Sequence, residues 1–96
     1  MHSTIRRYRA NPGQSVQDAI RKAEEGFVPI ISKAHGFVAY YLIDSGDTLT
    51  TVSVFQTDAE ARRSVETAAR WLRENLPDFA MGPPEVTIGA AHAHTA

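Results

Sequence analysis

Along the 96 residues the spacing of apolar positions changes several times, and each change marks an element. Thr4 to Arg9 has the length of a short strand and is broken by Asn11-Pro12-Gly13, a turn signal. Ser15 then stands where a helix N-cap belongs, with Asp18 three residues on in a capping-box-like pattern. Val16, Ile20, Ala23, Phe27, Ile30, Ile31 and Ala34 follow at steps of three and four, which is one face of a helix. Pro29 has no N–H to give the carbonyl of Glu25, so with Gly26 it interrupts that helix. The apolar register survives the interruption, which predicts a kinked helix or two collinear pieces, ended by Gly36.

Phe37 to Asp44 reads as a strand, Ser45-Gly46-Asp47 as its turn, and Thr48 to Gln56 as the returning strand of a hairpin. Thr57 or Asp58 caps a second helix running to about Asn75, with Ala61, Val65, Ala68, Ala69, Leu72 and Leu76 as its inward stripe. Pro77 stops it, and Gly82-Pro83-Pro84 leads into a last strand, Glu85 to Ala90. The order βαββαβ predicts an α+β, ferredoxin-like fold: an antiparallel sheet with two helices on one face. Residues 1–91 are expected to form a single domain and 92–96 a flexible C-terminal tail.

With a three-residue turn, Tyr41 lies opposite Thr51 and Phe37 opposite Phe55. One sheet face then carries Val38, Tyr40, Leu42, Val52 and Val54. The other carries Phe37, Ala39, Tyr41, Ile43, Leu49, Thr51, Ser53 and Phe55. Neither face is polar, although a sheet covered on one side alone should alternate. Helices cover one of them. A second copy of the chain, docked through Phe37, Tyr41, Leu49 and Phe55, is the economical cover for the other.

Composition narrows the function classes further. Ten Lys+Arg against eleven Asp+Glu leave a net charge of −1, so electrostatics favour neither nucleic acid nor an anionic membrane as a partner. Cysteine is absent, which excludes disulfides, thiolate metal sites and a cysteine nucleophile. The longest apolar run, Phe37 to Ile43, is far short of the ~20 residues that span a bilayer. Nothing near Met1 reads as a signal peptide, and a cytoplasmic location is the expectation.

Candidate chemistry is sparse. Trp71 falls roughly 120° from the centre of the expected helical stripe, where an indole can wall a pocket between helix and sheet. Tyr40 shares its sheet face with Val52 and Val54, and these four residues are the expected ligand-binding set. A phenol with an ordinary pKa of about 10 suits donation to a developing oxyanion better than base work. Of Arg7 and Tyr8, on opposite faces of the first strand, the pattern does not say which is inside. His35 is read as complementing a helix C-terminus. His92-x-His94 has the spacing of a strand chelate but too few ligands for a metal site, so no metal is expected. Phosphate-loop, dinucleotide, metalloprotease and serine-hydrolase motifs are all missing.

His35-Gly36-Phe37 followed by Tyr40 and Tyr41, and Val52 to Ala61 leading into a capped helix, give the chain a family likeness. It resembles the antibiotic biosynthesis monooxygenase-like members of the dimeric α+β barrel superfamily over about residues 4–90. The resemblance implies a homodimer, with the ligand held between helices and sheet. It also implies a cofactor-independent monooxygenase acting on a small aromatic or polyketide-type ligand. The alternative is a non-catalytic ligand-binding or structural dimeric barrel protein. Haem-degrading relatives use a histidine near the second helix. This chain has none between His35 and His92, so no cofactor is expected.

Overall fold

β1 (His2–Arg9) opens the chain in the computed structural model, which describes residues 1–92. Its side chains alternate: Thr4, Arg6 and Tyr8 are buried, while Ile5, Arg7 and Arg9 are exposed. α1 (Val16–Gly26) starts at Ser15, whose Oγ accepts from the Asp18 amide at 3.1 Å. α2 (Val28–Ile31) follows at once, with Pro29 in its first turn, where a missing N–H costs little. The interruption at Gly26–Pro29 thus divides one helical path into two pieces. Phe27 joins them, its amide still bonded to the Ala23 carbonyl, and is buried with Val16, Ala19, Ala23 and Ile31. Ile30 and Ala34, expected on this face, are exposed because α2 ends at Ile31, well before Gly36.

The chain returns to the sheet through a turn at Gly36, whose φ of +78° few other residues adopt. His35 lies four residues beyond the last residue of α2, not at its C-terminus. Its Nδ1 bonds Glu60 Oε2, at the first turn of the next helix.

β2 (Phe37–Asp44), β3 (Thr48–Phe55), α3 (Asp58–Asn75) and β4 (Glu85–Ala90) complete the chain. The four strands are antiparallel in the order β2-β3-β1-β4, the ferredoxin-like arrangement expected, and the helices pack on one side. α3 is fixed at its start by a capping box: Thr57 Oγ1 accepts from the Glu60 amide, and the Glu60 carboxylate accepts from the Thr57 amide.

The hairpin register departs from the expected one. Its first partners are Asp44 and Leu49, so four residues, not three, lie between them. Tyr41 stands opposite Val52 and Tyr40 opposite Ser53. A slip of one residue exchanges the two faces of a strand. Leu49, Thr51, Ser53 and Phe55 are therefore buried under the helices, together with the inward side of β1. Val52 and Val54 lie on the open face with Ile5, Tyr41 and Ile43. A bulge at Val38 brings Phe37 back opposite Phe55, the two rings edge to face at 6.0 Å. Of the four residues expected at a dimer face, Phe37, Leu49 and Phe55 thus belong to the core side. Only Tyr41, 57% exposed, lies on the open face.

α3 is also rotated from its expected orientation. Ser64 is buried and Ala69 is exposed, so the inward stripe runs Ala61, Ser64, Ala68, Trp71. Ser64 is tolerated inside because its Oγ donates to the Ala61 carbonyl at 2.6 Å, leaving little polarity unmet. Trp71 gains the most from this rotation, which carries it from the flank of the helix to the core side. Among the described residues no helix is long and apolar enough to cross a membrane.

Candidate functional site

Where α1 and α3 meet the sheet, three aromatic rings converge. Phe27, at the junction of α1 and α2, packs on Tyr40 with ring centres 5.6 Å apart and on Trp71 at 5.7 Å, both tilted. Trp71 comes this close because Gly26 has no side chain. A Cβ there would lie 3.1 Å from the indole Cζ2, tighter than an ordinary contact. Beneath the rings is a cavity of about 30 Å³, room for about two water molecules. Its walls include Arg6 and Tyr8 from β1, Tyr40 and Leu42 from β2, Thr51 from β3, and Trp71 from α3.

Arg6 is the residue that sequence reasoning missed. It is 1% exposed, among the largest fully buried side chains of the fold. Its Nε donates to Thr51 Oγ1 at 3.0 Å, the residue directly opposite on β3, and its guanidinium carbon lies 5.8 Å from the centre of the Phe27 ring. Nη1 is buried without a partner. No carboxylate forms an ion pair with Arg6 among the described residues. A guanidinium stays protonated in proteins, so a positive charge sits in the core with one thinly matched hydrogen-bonding edge.

Tyr40 stands beside it. Burial pushes its phenol up to about 12, against the pull of the nearby Arg6 charge, so the hydroxyl stays protonated at neutral pH. A neutral phenol can donate a hydrogen bond but is no base at that pH. Burial also raises Tyr8, again opposed by Arg6. The alternation that buries Tyr8 necessarily turns Arg6 the same way, and this is the signal that could have found it.

A second space opens beside the first. A groove of about 690 Å³ runs between α3 and the segment Pro77 to Pro84, within the size range of ligand sites. Arg6, Tyr8, Leu72 and Leu76 line both the groove and the inner cavity. The groove has walls of Val65, Ala69 and prolines, adds Arg73, and is lined by no acidic residue.

Of the expected ligand-binding set, then, the structure brings Trp71 and Tyr40 together at one cavity. It places Val52 and Val54 on the opposite side of the sheet, for the register reason given above. Among the described residues no cluster of histidine and acidic groups is arranged to hold a metal. His92 is exposed, and His94 lies outside the described residues.

No protein-family model matches the chain, and no curated protein does. Solved structures do. A protein of unknown function from Nitrosomonas europaea superposes with a TM-score of 0.76 at 20% identity, covering 99% of this chain and 95% of that one. A monooxygenase from the gene ActVA-Orf6 of Streptomyces coelicolor, in complex with the ligand nanaomycin D, gives 0.74 at 18% identity over 99% and 90%. SnoaB, a cofactor-independent oxygenase from Streptomyces nogalater, gives 0.73 at 11% identity over 97% and 94%. The fold that the resemblance implied, that of the antibiotic biosynthesis monooxygenases, is the fold of this chain.

Proposed function

We propose that the protein is a small oxygenase that acts on an aromatic, polyketide-type substrate without metal or organic cofactor. The observation that carries this reading is the meeting of a protonated Tyr40 phenol and the Trp71 indole over a cavity between helices and sheet. The fold shared with oxygenases is consistent with it.

In such a reaction an acidic C–H of an anthrone-like ring gives its proton to solvent water, and the carbanion transfers an electron to dioxygen. The C–O bond then forms as a hydroperoxide, and loss of water leaves a new carbonyl. One oxygen atom ends in the product and the other in water. In this reading Tyr40 donates to the developing oxyanion, and Trp71 and Phe27 supply the aromatic wall against which the substrate ring packs.

The inner cavity is too small for a fused ring system as it stands, so substrate enters by the adjoining groove with a shift of Leu72 and Leu76, which line both spaces. That smallness also favours a second reading, a ligand-binding dimer without catalysis. The open sheet face supports the dimer in either case. Ile5, Tyr41 and Ile43 are 36%, 57% and 45% exposed there, a surface that a second copy would cover.

Oxygen consumption with a panel of hydroxyanthrones decides between the readings. Uptake matched mole for mole by quinone, and reduced at least roughly tenfold in Tyr40→Phe, is the expected result. No uptake above the uncatalysed rate with any member would leave the non-catalytic reading in its place.

A further inference from the structure

The side of β2 that faces the helices is incompletely covered. Between it and the path of α1 and α2 runs a groove of about 490 Å³. Ile20, Glu24 and Val28 stand along the helical wall at steps of four, a single row that continues across the junction at Phe27. Phe37, Tyr40 and Leu42 form the sheet wall, each half-buried. Strict alternation would turn Phe37 and Tyr40 to opposite faces of β2. The bulge at Val38 brings both rings to this side, the kind of re-aiming for which bulges are retained beside sites. Among the described residues, Glu24 is the one charged side chain that lines the groove, and it forms no ion pair. Arg21, one turn before it, reaches Asp18 instead, at 3.5 Å. A carboxylate set between Ile20 and Val28, opposite two aromatic rings, gives an apolar groove a negative electrostatic character.

We infer that this groove binds a small organic cation of the quaternary ammonium type, its methyl groups packed on Phe37 and Tyr40 and its charge balanced by Glu24. The choice among cations follows from what the walls can accept. A primary ammonium or a guanidinium brings several N–H donors, each in need of a partner. Among side chains the lining offers them only the Glu24 carboxylate and the hydroxyls of Ser32 and Tyr40. The Ser32 hydroxyl already donates to the Pro29 carbonyl, at 3.3 Å. A quaternary ammonium has no donor to match, and aromatic rings with a nearby carboxylate suit its diffuse charge. The groove shares Tyr40 and Leu42 with the inner cavity but neither Arg6 nor Trp71, so the inference does not depend on the reaction proposed above.

The probe is choline, compared with its carbon isostere, in which a tert-butyl group replaces the trimethylammonium and the charge is gone. The intact protein is titrated with each at constant ionic strength and followed by backbone amide shifts. Choline is expected to bind about fivefold or more tighter than the isostere, with the amides of Glu24 and of residues 37–42 moving most. Nuclear Overhauser contacts should join the choline methyls to the ring protons of Phe37 and Tyr40. Glu24→Gln, an exposed substitution, should bring the two affinities to within about twofold by weakening choline alone. Glu25→Gln, next along α1 and outside the groove lining, should leave the preference intact and so separates a site from general attraction to an acidic helix. Equal affinities in the wild type, a preference that survives Glu24→Gln or falls as far with Glu25→Gln, methyl contacts to other rings, or no binding of choline would overturn the inference.

Discussion

Replacing Arg6 by Met should make the protein more stable, which few substitutions of a fully buried residue do. Two contributions are lost. The bond from Nε to Thr51 Oγ1, 3.0 Å long, contributes about 1 kcal/mol and leaves a hydroxyl unmatched when removed. The contact with the Phe27 ring, at 5.8 Å, is worth about 0.5 kcal/mol at the lower end of its range. Against these stands the cost of holding a charge out of water with no ion partner, on the order of several kcal/mol after relaxation. Methionine fills much of the arginine stem's volume and adapts to irregular gaps. The balance is a gain of about 1–3 kcal/mol. For a domain of this size each 1 kcal/mol moves the midpoint by roughly 4–8 °C. Thermal unfolding followed by circular dichroism, at one fixed protein concentration and without ligand, should show the variant melting at least about 4 °C higher. A variant less stable by more than about 1 kcal/mol would refute the reasoning, since Arg6 would then be supporting the core.

Gly36→Ala should destabilise by about 1–3 kcal/mol, because the φ of +78° is costly for alanine and its Cβ would overlap the Glu60 carboxylate; denaturant unfolding measures it. Tyr40 should be the signature of alkaline unfolding. Its folded pKa is raised, so the stability linked to its neutral form is complete below the ordinary value of 10 and is lost as pH rises toward about 12. Phenolate absorbance should show a late step that Tyr40→Phe removes. If the open sheet face joins two copies, Tyr41→Glu should shift sedimentation from dimer to monomer at micromolar concentration while leaving the far-ultraviolet spectrum unchanged.

The order of elements was legible in the sequence because each was marked by its own chemistry: Ser15 and Thr57 as caps, Pro29 and Pro77 as breaks, and the change from helical to alternating period at Phe37. The faces were harder. The hairpin turn is one residue longer than Ser45-Gly46-Asp47 suggests, and that single residue moved Val52 and Val54 out of the site and Leu49 and Phe55 into the core. The bulge at Val38 then corrected Phe37 alone, a compensation no spacing rule anticipates. Trp71 was placed on the flank because Ser64 reads as polar, while in the fold its hydroxyl is satisfied by the turn before it. Arg6 went unseen for a related reason. Hydrophobic patterning assigns a charged residue to solvent, and it fails at Arg6, which the alternation of β1 turns inward between Thr4 and Tyr8.

The account turns on whether an aromatic ligand reaches the cavity that Tyr40 and Trp71 line. The chain has one tryptophan, so its nitrogen–proton correlation spectrum contains one indole signal, and that signal reports on this site. On titration with a hydroxyanthrone under nitrogen the indole signal should move progressively and saturate with the affinity that calorimetry gives. An indole signal that does not move while calorimetry shows the hydroxyanthrone binding would place the ligand elsewhere and contradict the account.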